Sequence, residues 1–290
     1  MRILKPLIAA SVLMVSGGAV SAASVEKVWE LDGLKQPESA LYDPSGDVIY
    51  VSEVGGDMRA KDGDGRITKV STDGKILQSG WASGGLNAPK GLGISGGKLY
   101  VADIDELVEI DLATGKVGQR YKVDGAVFLN DVTTDGAGRV YVSDTATNTI
   151  SVLQDGQVKT WLKNDRLNGP NGLAVEGDVM VVGSFGKPPA NGQESVPGFL
   201  VEAPLSGDST RTLGDGSPVG AIDGLAPIGN GKYLATDYLK GGLLRIDAGG
   251  SFETLAPLPP GTADLSWDAA KEIAYVPQNK EGKLTAFRVP

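Results

Sequence analysis

The 290-residue chain contains no cysteine and no histidine. The absence of cysteine excludes disulfides, thiolate nucleophiles and Cys-ligated zinc. The absence of histidine excludes Ser-His and Cys-His catalytic pairs and every His-ligated metal centre. Any chemistry must therefore depend on carboxylates, amides, Lys, Arg, Tyr or a bound ion.

Long apolar segments are also absent, apart from a short one near the N-terminus. Arg2 and Lys5 precede an apolar stretch over residues 6–15, and small residues follow it. This pattern predicts a signal peptide over residues 1–23. A membrane anchor is the alternative, but the stretch is too short to span a bilayer. We therefore expect an exported protein, periplasmic or secreted, without membrane insertion.

The remaining residues, 24–290, are predicted to form one domain with an acidic surface. Two of the 27 basic residues lie in the signal, which leaves 25 against 36 acidic residues and a formal charge of −11. Such a charge disfavours nucleic acid as a partner. It is compatible with a bound metal cation.

A short motif recurs six times and predicts the architecture. Each copy is a strand-like segment that ends in an aromatic or apolar pair and, in most copies, an acidic residue. The copies are Tyr50–Glu53, Tyr100–Asp103, Tyr141–Asp144, Met180–Gly183, Leu234–Asp237 and Tyr275–Gln278. Their period of about 44 residues is that of a four-stranded propeller blade. The sequence thus predicts an all-β fold, a six-bladed β-propeller with four-stranded blades.

The two ends of the chain are predicted to close the ring together. The sixth copy, Thr262–Val289, has room for only about three strands. Val25–Leu31 alternates like a strand before the first copy begins, and we expect it to be the outer strand of the last blade. A β-sandwich or an open repeat array is the alternative.

One polar position stands upstream of each copy, at the start of the predicted innermost strand. These residues are Glu38, Lys90, Asn130, Asn171, Asp223 and Asp264. Equivalent positions of innermost strands converge at one mouth of the axial channel. They could simply line a wet entrance, or they could bind a metal. Carboxylate and amide oxygens suit calcium and, less strictly, magnesium or manganese, and a cation would relieve the repulsion between carboxylates.

Four of these segments resemble a known family. Pro37–Ser39, Pro170–Leu173 and Ile222–Leu225, in that order and blade placement, resemble the senescence-marker-protein-30/gluconolactonase family. Asn130–Arg139 is similar to the third-blade motif of the same family. The resemblance covers nearly the whole chain after the signal.

The resemblance implies specific roles for four residues. Glu38, Asn171 and Asp223 would hold a divalent ion, with calcium expected and magnesium, manganese or zinc left open. Asn130 would contact ion-bound water or the substrate. The substrate would be a small molecule with a lactone or ester bond.

Two residues depart from the family pattern. Phe128 stands where sugar-lactone hydrolases commonly have an arginine that holds the substrate, which favours a more apolar lactone or ester. Lys90 puts a cation on the axis, where it would either compete with the metal as a counter-ion or bind an anionic substrate group. We favour the second role and expect neighbouring carboxylates to raise its pKa and keep it charged.

Two functions follow from these patterns. The first is a metal-dependent hydrolase of a lactone or small ester, in which Asp223, or Asp264 if Asp223 is committed to the ion, takes a proton from the attacking water. The second is a non-catalytic binding propeller with a structural metal, because Val140–Asn148 and Leu99–Asp103 also resemble NHL-type repeats. The sequence predicts no oligomeric state. It leaves open whether the long loop 186–198 covers a site or is a spacer.

Overall fold

The computed structural model describes residues 25–190 and 193–290. These residues form six antiparallel sheets of four strands, and the sheets are the blades of a propeller. The helix described is a single 3-10 turn, Asp165–Leu167, and no helix in these ranges is long and apolar enough to cross a membrane. The predicted signal peptide, residues 1–23, lies outside the described residues.

The 24 described strands are numbered along the chain, and each blade is given from the axis outward. Blade 1 contains β2 (Pro37–Asp43), β3 (Val48–Glu53), β4 (Gly65–Ser71) and β5 (Ile76–Leu86). Blade 2 contains β6 (Pro89–Ser95), β7 (Lys98–Asp103), β8 (Glu106–Asp111) and β9 (Val117–Lys122). Blade 3 contains β10 (Leu129–Thr134), β11 (Val140–Asp144), β12 (Thr149–Gln154) and β13 (Gln157–Lys163). Blade 4 contains β14 (Pro170–Glu176), β15 (Val179–Ser184), β16 (Leu200–Pro204) and β17 (Arg211–Thr212). Blade 5 contains β18 (Ile222–Gly229), β19 (Lys232–Asp237), β20 (Leu243–Asp247) and β21 (Phe252–Ala256). Blade 6 contains β22 (Ser266–Asp268), β23 (Ile273–Gln278), β24 (Lys283–Arg288) and β1 (Glu26–Leu31).

The ring closes as the sequence predicts. β1 pairs antiparallel with β24, with Leu31 opposite Leu284 and Lys27 opposite Phe287. The last copy of the repeat supplies β22, β23 and β24, and β1 is the fourth and outermost strand of that blade. The six-bladed architecture and its closure by the N-terminal strand are confirmed.

The hydrophobic core lies between neighbouring blades. Tyr50 and Ile67 of blade 1, for example, belong to one buried cluster with Leu99 and Val101 of blade 2. The second strand of a blade is covered on both faces, and all six residues of β3 are buried. This explains why the repeat motif has apolar residues without strict alternation.

Tryptophan rings connect the outer edges of the blades. Three of them pack over a glycine in the outer turn of the next blade: Trp29 over Gly74, Trp81 over Gly115 and Trp161 over Gly207. The indole N–H of Trp29 also donates to the carbonyl oxygen of Thr72 at 2.9 Å. A Cβ at Gly74 would lie 2.7 Å from the Trp29 ring, so the contact requires glycine there.

The acidic residue that ends the repeat motif has an architectural role. The Asp103 carboxylate accepts hydrogen bonds from the backbone N–H groups of Asn87 and Ala88, just before β6. Asp144 accepts in the same way from Val127 and Phe128, just before β10. These bonds fix the segment from which each innermost strand enters the channel.

Candidate metal and active site

Five of the six predicted axial residues occupy the same position of the blade. Each is the second residue of an innermost strand: Glu38 in β2, Lys90 in β6, Asn130 in β10, Asn171 in β14 and Asp223 in β18. At each position the pairing with the second strand shifts register. Such a bulge turns side chains away from regular alternation, and bulges of this kind often accompany functional sites.

Asp264 lies at the same level of the axis as these five residues, but it is not the second residue of an innermost strand. It precedes β22 and forms a parallel bridge with Ser39 of blade 1. Its N–H donates to the carbonyl oxygen of Glu38 at 2.9 Å, and its own carbonyl oxygen accepts from Ala40 at 3.1 Å. The Ser39 hydroxyl donates to the Asp264 carboxylate at 2.5 Å. Blades 6 and 1 are therefore joined directly at the axis.

The six residues form a buried polar layer in which carboxylates are crowded. All are at most 9% exposed, with Asp264 the most exposed and Lys90 fully buried. Burial raises the pKa of Asp264 to about 7. Burial and the charge of Asp264 raise the pKa of Asp223 to about 8. Burial and the charge of Asp223 raise the pKa of Glu38 well above its usual range.

The residues predicted to bind a metal have the oxygens that such an ion needs. Glu38 Oε2 and Asn171 Oδ1 are buried and accept no hydrogen bond, and the described residues contain one other such side-chain atom, Asp268 Oδ2. The Asn171 amide donates from Nδ2 to Asp223 Oδ1 at 2.5 Å, which brings the third predicted ligand to the same place. Oxygen donors of this kind fit calcium.

The predicted metal-ligand set contains few carboxylates. Within the described ranges, no three Asp, Glu, His or Cys side chains have the spacing of metal ligands. The predicted set of Glu38, Asn171 and Asp223 contains only two carboxylates and completes its oxygens with an amide. The ion itself stays a prediction.

Lys90 makes more contacts within the protein than the sequence predicts. Its ammonium donates to the carbonyl oxygens of Ala88 at 3.1 Å and Met58 at 3.2 Å. It also lies 4.6 Å from the centroid of the Phe128 ring. Burial lowers the pKa of Lys90, and the opposing effect of the Glu38 charge is smaller. The expected upward pKa shift is therefore wrong, because full burial outweighs the neighbouring carboxylates.

The two predicted substrate-binding residues of blade 3 lie side by side at the mouth. Phe128 is half-buried immediately before β10, and its ring also carries the Arg59 guanidinium at 4.4 Å from the centroid. The Asn130 amide donates to the Thr145 hydroxyl at 3.3 Å. Their role in substrate binding stays a prediction.

Asp131 is a buried carboxylate that the axial pattern does not reveal. Its two oxygens accept from the backbone N–H groups of Val132 and Leu173, both at 2.6 Å. Burial and the charge of Asp264 raise its pKa well above the usual range. Regular alternation would put Asn130 and Asp131 on opposite faces of β10. The bulge between Leu129 and Val132 removes that alternation. The adjacent polar residues Asn130 and Asp131 are the sequence signal from which a second buried polar side chain in β10 could have been predicted.

Tyr238 is a second residue that the pattern does not reveal. It follows β19 directly and is half-buried, with its ring centroid 6.1 Å from that of Phe185. Burial and the charges of Asp223 and Glu38 raise the pKa of its phenol. The Tyr238 phenol therefore stays protonated, and the charges of two predicted ligands act on it.

A cavity of about 400 Å³ continues along the innermost strands beyond the layer. Ser39, Asp131 and Asp264 contribute its polar wall, and Leu92, Leu173 and Leu225 are among its apolar residues. Glu38, Asn171 and Asp223 do not line it. Asp264 therefore connects the axial layer with the channel interior, whereas the predicted ligands are closed off from this side.

Comparison with known proteins identifies the fold of the chain but assigns it to no sequence family. No protein-family model matches the chain, and no curated protein does. Among solved structures, a gluconolactonase from Xanthomonas campestris superposes with a TM-score of 0.68 at 15% identity, over 92% of this chain and 89% of that chain. The chain has the fold of a gluconolactonase.

A second superposition involves another kind of enzyme. It is the virginiamycin B lyase of Staphylococcus aureus, solved with quinupristin as a catalytically inactive His-to-Ala variant. Its TM-score is 0.58 at 13% identity, over 92% of this chain and 100% of that chain. The fold expected from the gluconolactonase resemblance is confirmed, and both likenesses extend over almost all of the propeller.

Proposed function

We propose that this protein is a metal-dependent hydrolase of a lactone or small ester, with calcium as its ion. The observation that carries the proposal is the pair of buried acceptors without donors, Glu38 Oε2 and Asn171 Oδ1, next to Asp223. A buried acceptor without a donor costs about 1–3 kcal/mol, and a cation would remove that cost. The gluconolactonase fold of a solved structure supports the reaction class.

The axial residues divide into ligands and reacting groups. When bound, a divalent cation supplies Lewis-acid polarisation of the substrate carbonyl. Asp223 is committed to the ion and to Asn171, so Asp264 is the better base. It lines the channel cavity, from which water can reach it, and the Ser39 hydroxyl orients its carboxylate. The Tyr238 phenol is a candidate donor to the carbonyl oxygen.

The mouth favours a small substrate with an apolar part. Phe128 presents a half-buried ring beside Asn130, where an arginine would favour a polyhydroxy sugar lactone. An aryl or alkyl ester, or a lactone with an apolar substituent, would pack on this ring.

A non-catalytic propeller with a structural metal is the second candidate. It is favoured by the closure of the axial layer, in which no residue is more than 9% exposed. In that case the metal would stabilise the protein without any hydrolysis. Lyase chemistry that depends on histidine, as the inactive His-to-Ala variant of the staphylococcal enzyme indicates, is not open to a chain with no histidine.

A substrate panel tests the hydrolase. Glucono-δ-lactone, γ-butyrolactone, phenyl acetate and 4-nitrophenyl acetate are assayed with calcium, magnesium, manganese or zinc, and with chelator. We expect hydrolysis of at least one ester or lactone that chelator abolishes and one divalent ion restores. Activity that persists in chelator and in Glu38→Gln would contradict the proposal. Metal-induced stabilisation without any hydrolysis would favour the structural-metal alternative.

Export is part of the same proposal. The small residues before residue 24 predict cleavage after Ala22 or Ala23. N-terminal sequencing of protein recovered from a bacterial periplasm or culture medium tests this. A chain that keeps Met1 and stays in the cytoplasm would contradict it.

A further inference from the structure

Arg59 is unusual among the arginines of the described residues. It is exposed on the connection between β3 and β4, and its guanidinium lies over the Phe128 ring, 4.4 Å from the centroid. No hydrogen bond or ion pair of the described residues uses this guanidinium. Every other described arginine makes at least one such contact: Arg66, Arg120, Arg139, Arg166, Arg211, Arg245 and Arg288.

The position of Arg59 relative to the axial layer follows from the topology. Connections between second and third strands lie at the end of the ring where the innermost strands begin. Arg59 after β3, Phe185 after β15, Tyr238 after β19 and Lys280 after β23 all belong to such connections, and Phe128 stands directly before β10. Lys280 lies over the Tyr238 ring at 5.8 Å. At this mouth Arg59 and Lys280, both exposed, therefore each lie over a half-buried aromatic ring, and the Phe185 ring lies beside Tyr238.

Two cations converge on a single ring at this mouth. The Phe128 ring has the Arg59 guanidinium 4.4 Å and the Lys90 ammonium 4.6 Å from its centroid. The charge of Arg59 also lowers the pKa of Lys90, in addition to the larger effect of burial. The Lys90 ammonium already donates to two backbone carbonyls, whereas the five N–H donors of the exposed Arg59 guanidinium have no hydrogen-bond acceptor among the described residues.

An anion is the partner that this arrangement lacks. A guanidinium stacked on an aromatic ring keeps its N–H edge for a planar acceptor, and a carboxylate matches that edge with two parallel hydrogen bonds. The protein is strongly acidic overall, yet no carboxylate of the described residues pairs with Arg59. The overall charge would not attract an anionic ligand, and Asp57, Asp62 and Asp64 lie on the same connection, so the attraction would come from direct contact with this guanidinium.

We propose that Arg59 binds a carboxylate of the substrate at the channel mouth, so that the preferred substrates are esters or lactones with an anionic group and an apolar body. The body packs against Phe128 and Tyr238, and the anionic group points to Arg59. Lys90, which the sequence predicts as an anchor, donates to the carbonyl oxygen of Met58 on the same connection as Arg59, and its own part in binding an anion stays a prediction. This inference rests on the proposed hydrolase and names its substrate class.

The first test compares two esters that differ in one carboxylate. Phenyl acetate and 4-acetoxybenzoate share the acetyl ester, and only the second is anionic. The readout is the ratio of kcat/KM for 4-acetoxybenzoate to that for phenyl acetate. We expect Arg59→Gln to lower this ratio about tenfold through KM, the size expected for losing one charge-assisted bond. Arg59→Lys should restore part of it.

Arg211→Gln is the matched control. It removes the same charge from the outer strand β17, where the guanidinium pairs with Glu202. The ratio should stay at the wild-type value in this variant. An equal ratio in Arg59→Gln and Arg211→Gln would overturn the carboxylate site while the hydrolase stands.

The second test uses binding alone and separates the two proposals. Calorimetric titration with 4-hydroxybenzoate and with phenol measures affinity for the anionic and the neutral product. We expect 4-hydroxybenzoate to bind wild type more tightly than Arg59→Gln by about tenfold, with Arg211→Gln unchanged. If neither ester is cleaved but this difference is found, the hydrolase fails and the anion site stands. If 4-hydroxybenzoate binds wild type and Arg59→Gln equally, or binds neither, the anion site is refuted.

Discussion

Asn171 and Asp223 hold equivalent positions on neighbouring blades, and the Asn171 amide donates to Asp223 Oδ1 at 2.5 Å. This bond uses one amide N–H of Asn171, and the amide oxygen of the same side chain, Oδ1, is buried without a donor. The blade repeat therefore brings the Asp223 carboxylate next to an amide oxygen that has no donor among the described residues, and Glu38 Oε2 is a second buried acceptor in that condition. The proposed cation would supply a partner for both unpaired acceptors.

Calcium should stabilise the chelator-treated protein and fail to stabilise Glu38→Gln. A ligand at about 100 times its Kd adds about 2.7 kcal/mol to the free energy of unfolding. For a domain of this size that corresponds to a rise in Tm of roughly 5–10 °C. Differential scanning calorimetry with and without calcium measures the rise, and circular dichroism verifies that the variant keeps its β structure.

Asp268→Asn is the control for the metal experiment. Asp268 is also a buried carboxylate with an oxygen that accepts no hydrogen bond, but it lies at the far end of the innermost segment of blade 6. Its variant should keep the calcium response. A response lost equally in Glu38→Gln and Asp268→Asn, or one absent from the wild type with every divalent ion, would refute the axial metal site.

The metal-free protein should lose stability as pH rises from about 5 to about 8. A buried carboxyl with a raised pKa holds a proton that the unfolded chain has already released, so its stabilising effect is present at low pH and lost as pH rises through the folded pKa. The pKa is about 7 for Asp264 and about 8 for Asp223. Burial also raises the pKa values of Glu38 and Asp131, which act in the same direction, and the chain has no histidine to add a titration in this window.

Melting temperatures in chelator at several pH values measure this effect. Glu53 acts in the opposite direction: burial would raise its pKa, but hydrogen bonds from Arg66, the Lys35 N–H and Thr68 outweigh it and lower the pKa. Its contribution is lost only as pH falls below its usual value of 4.5. A flat profile across the neutral window, or one unchanged in Asp264→Asn, would contradict the prediction.

Asp264→Asn and Asp223→Asn should separate the reacting base from the ligand. We expect Asp264→Asn to lower kcat by roughly 10²–10⁴-fold while the calcium-induced rise in Tm persists, because the base is lost and the ligands remain. Asp223→Asn should lose both activity and the calcium response. Initial rates together with calorimetry decide this. Nearly full activity in Asp264→Asn would indicate that Asp223 and not Asp264 is the base.

Gly74→Ala should destabilise the contact between blades 6 and 1. Gly74 has a φ of 82° and lies under the Trp29 ring, so a methyl group adds steric overlap to backbone strain. Gly63→Ala is the matched control, since Gly63 has a φ of 78° with nothing within 4 Å of its Cβ position. We expect Gly74→Ala to cost about 1–3 kcal/mol more than Gly63→Ala in urea unfolding. Equal costs would mean that the ring moves aside freely.

Much of the architecture could be predicted from the sequence because the relevant signals are local and periodic. The spacing of segments such as Tyr50–Glu53 and Tyr100–Asp103 indicates six blades, and alternation in Val25–Leu31 indicates how the ring closes. The same period aligns Glu38, Asn171 and Asp223 at one level of the axis, where the structure places them. The absence of Cys and His restricts their chemistry to oxygen donors.

The tertiary structure alone decided what surrounds those residues. A bulge in β10 buries Asp131 beside Asn130, which strand alternation does not indicate. The connection after β3 carries Arg59 onto Phe128, across a sequence separation that no periodic signal spans. Burial of Lys90 reverses the pKa shift expected from its charged neighbours. Desolvation and contacts between distant loops depend on the complete packing of six blades, so they emerge only when the ring is closed.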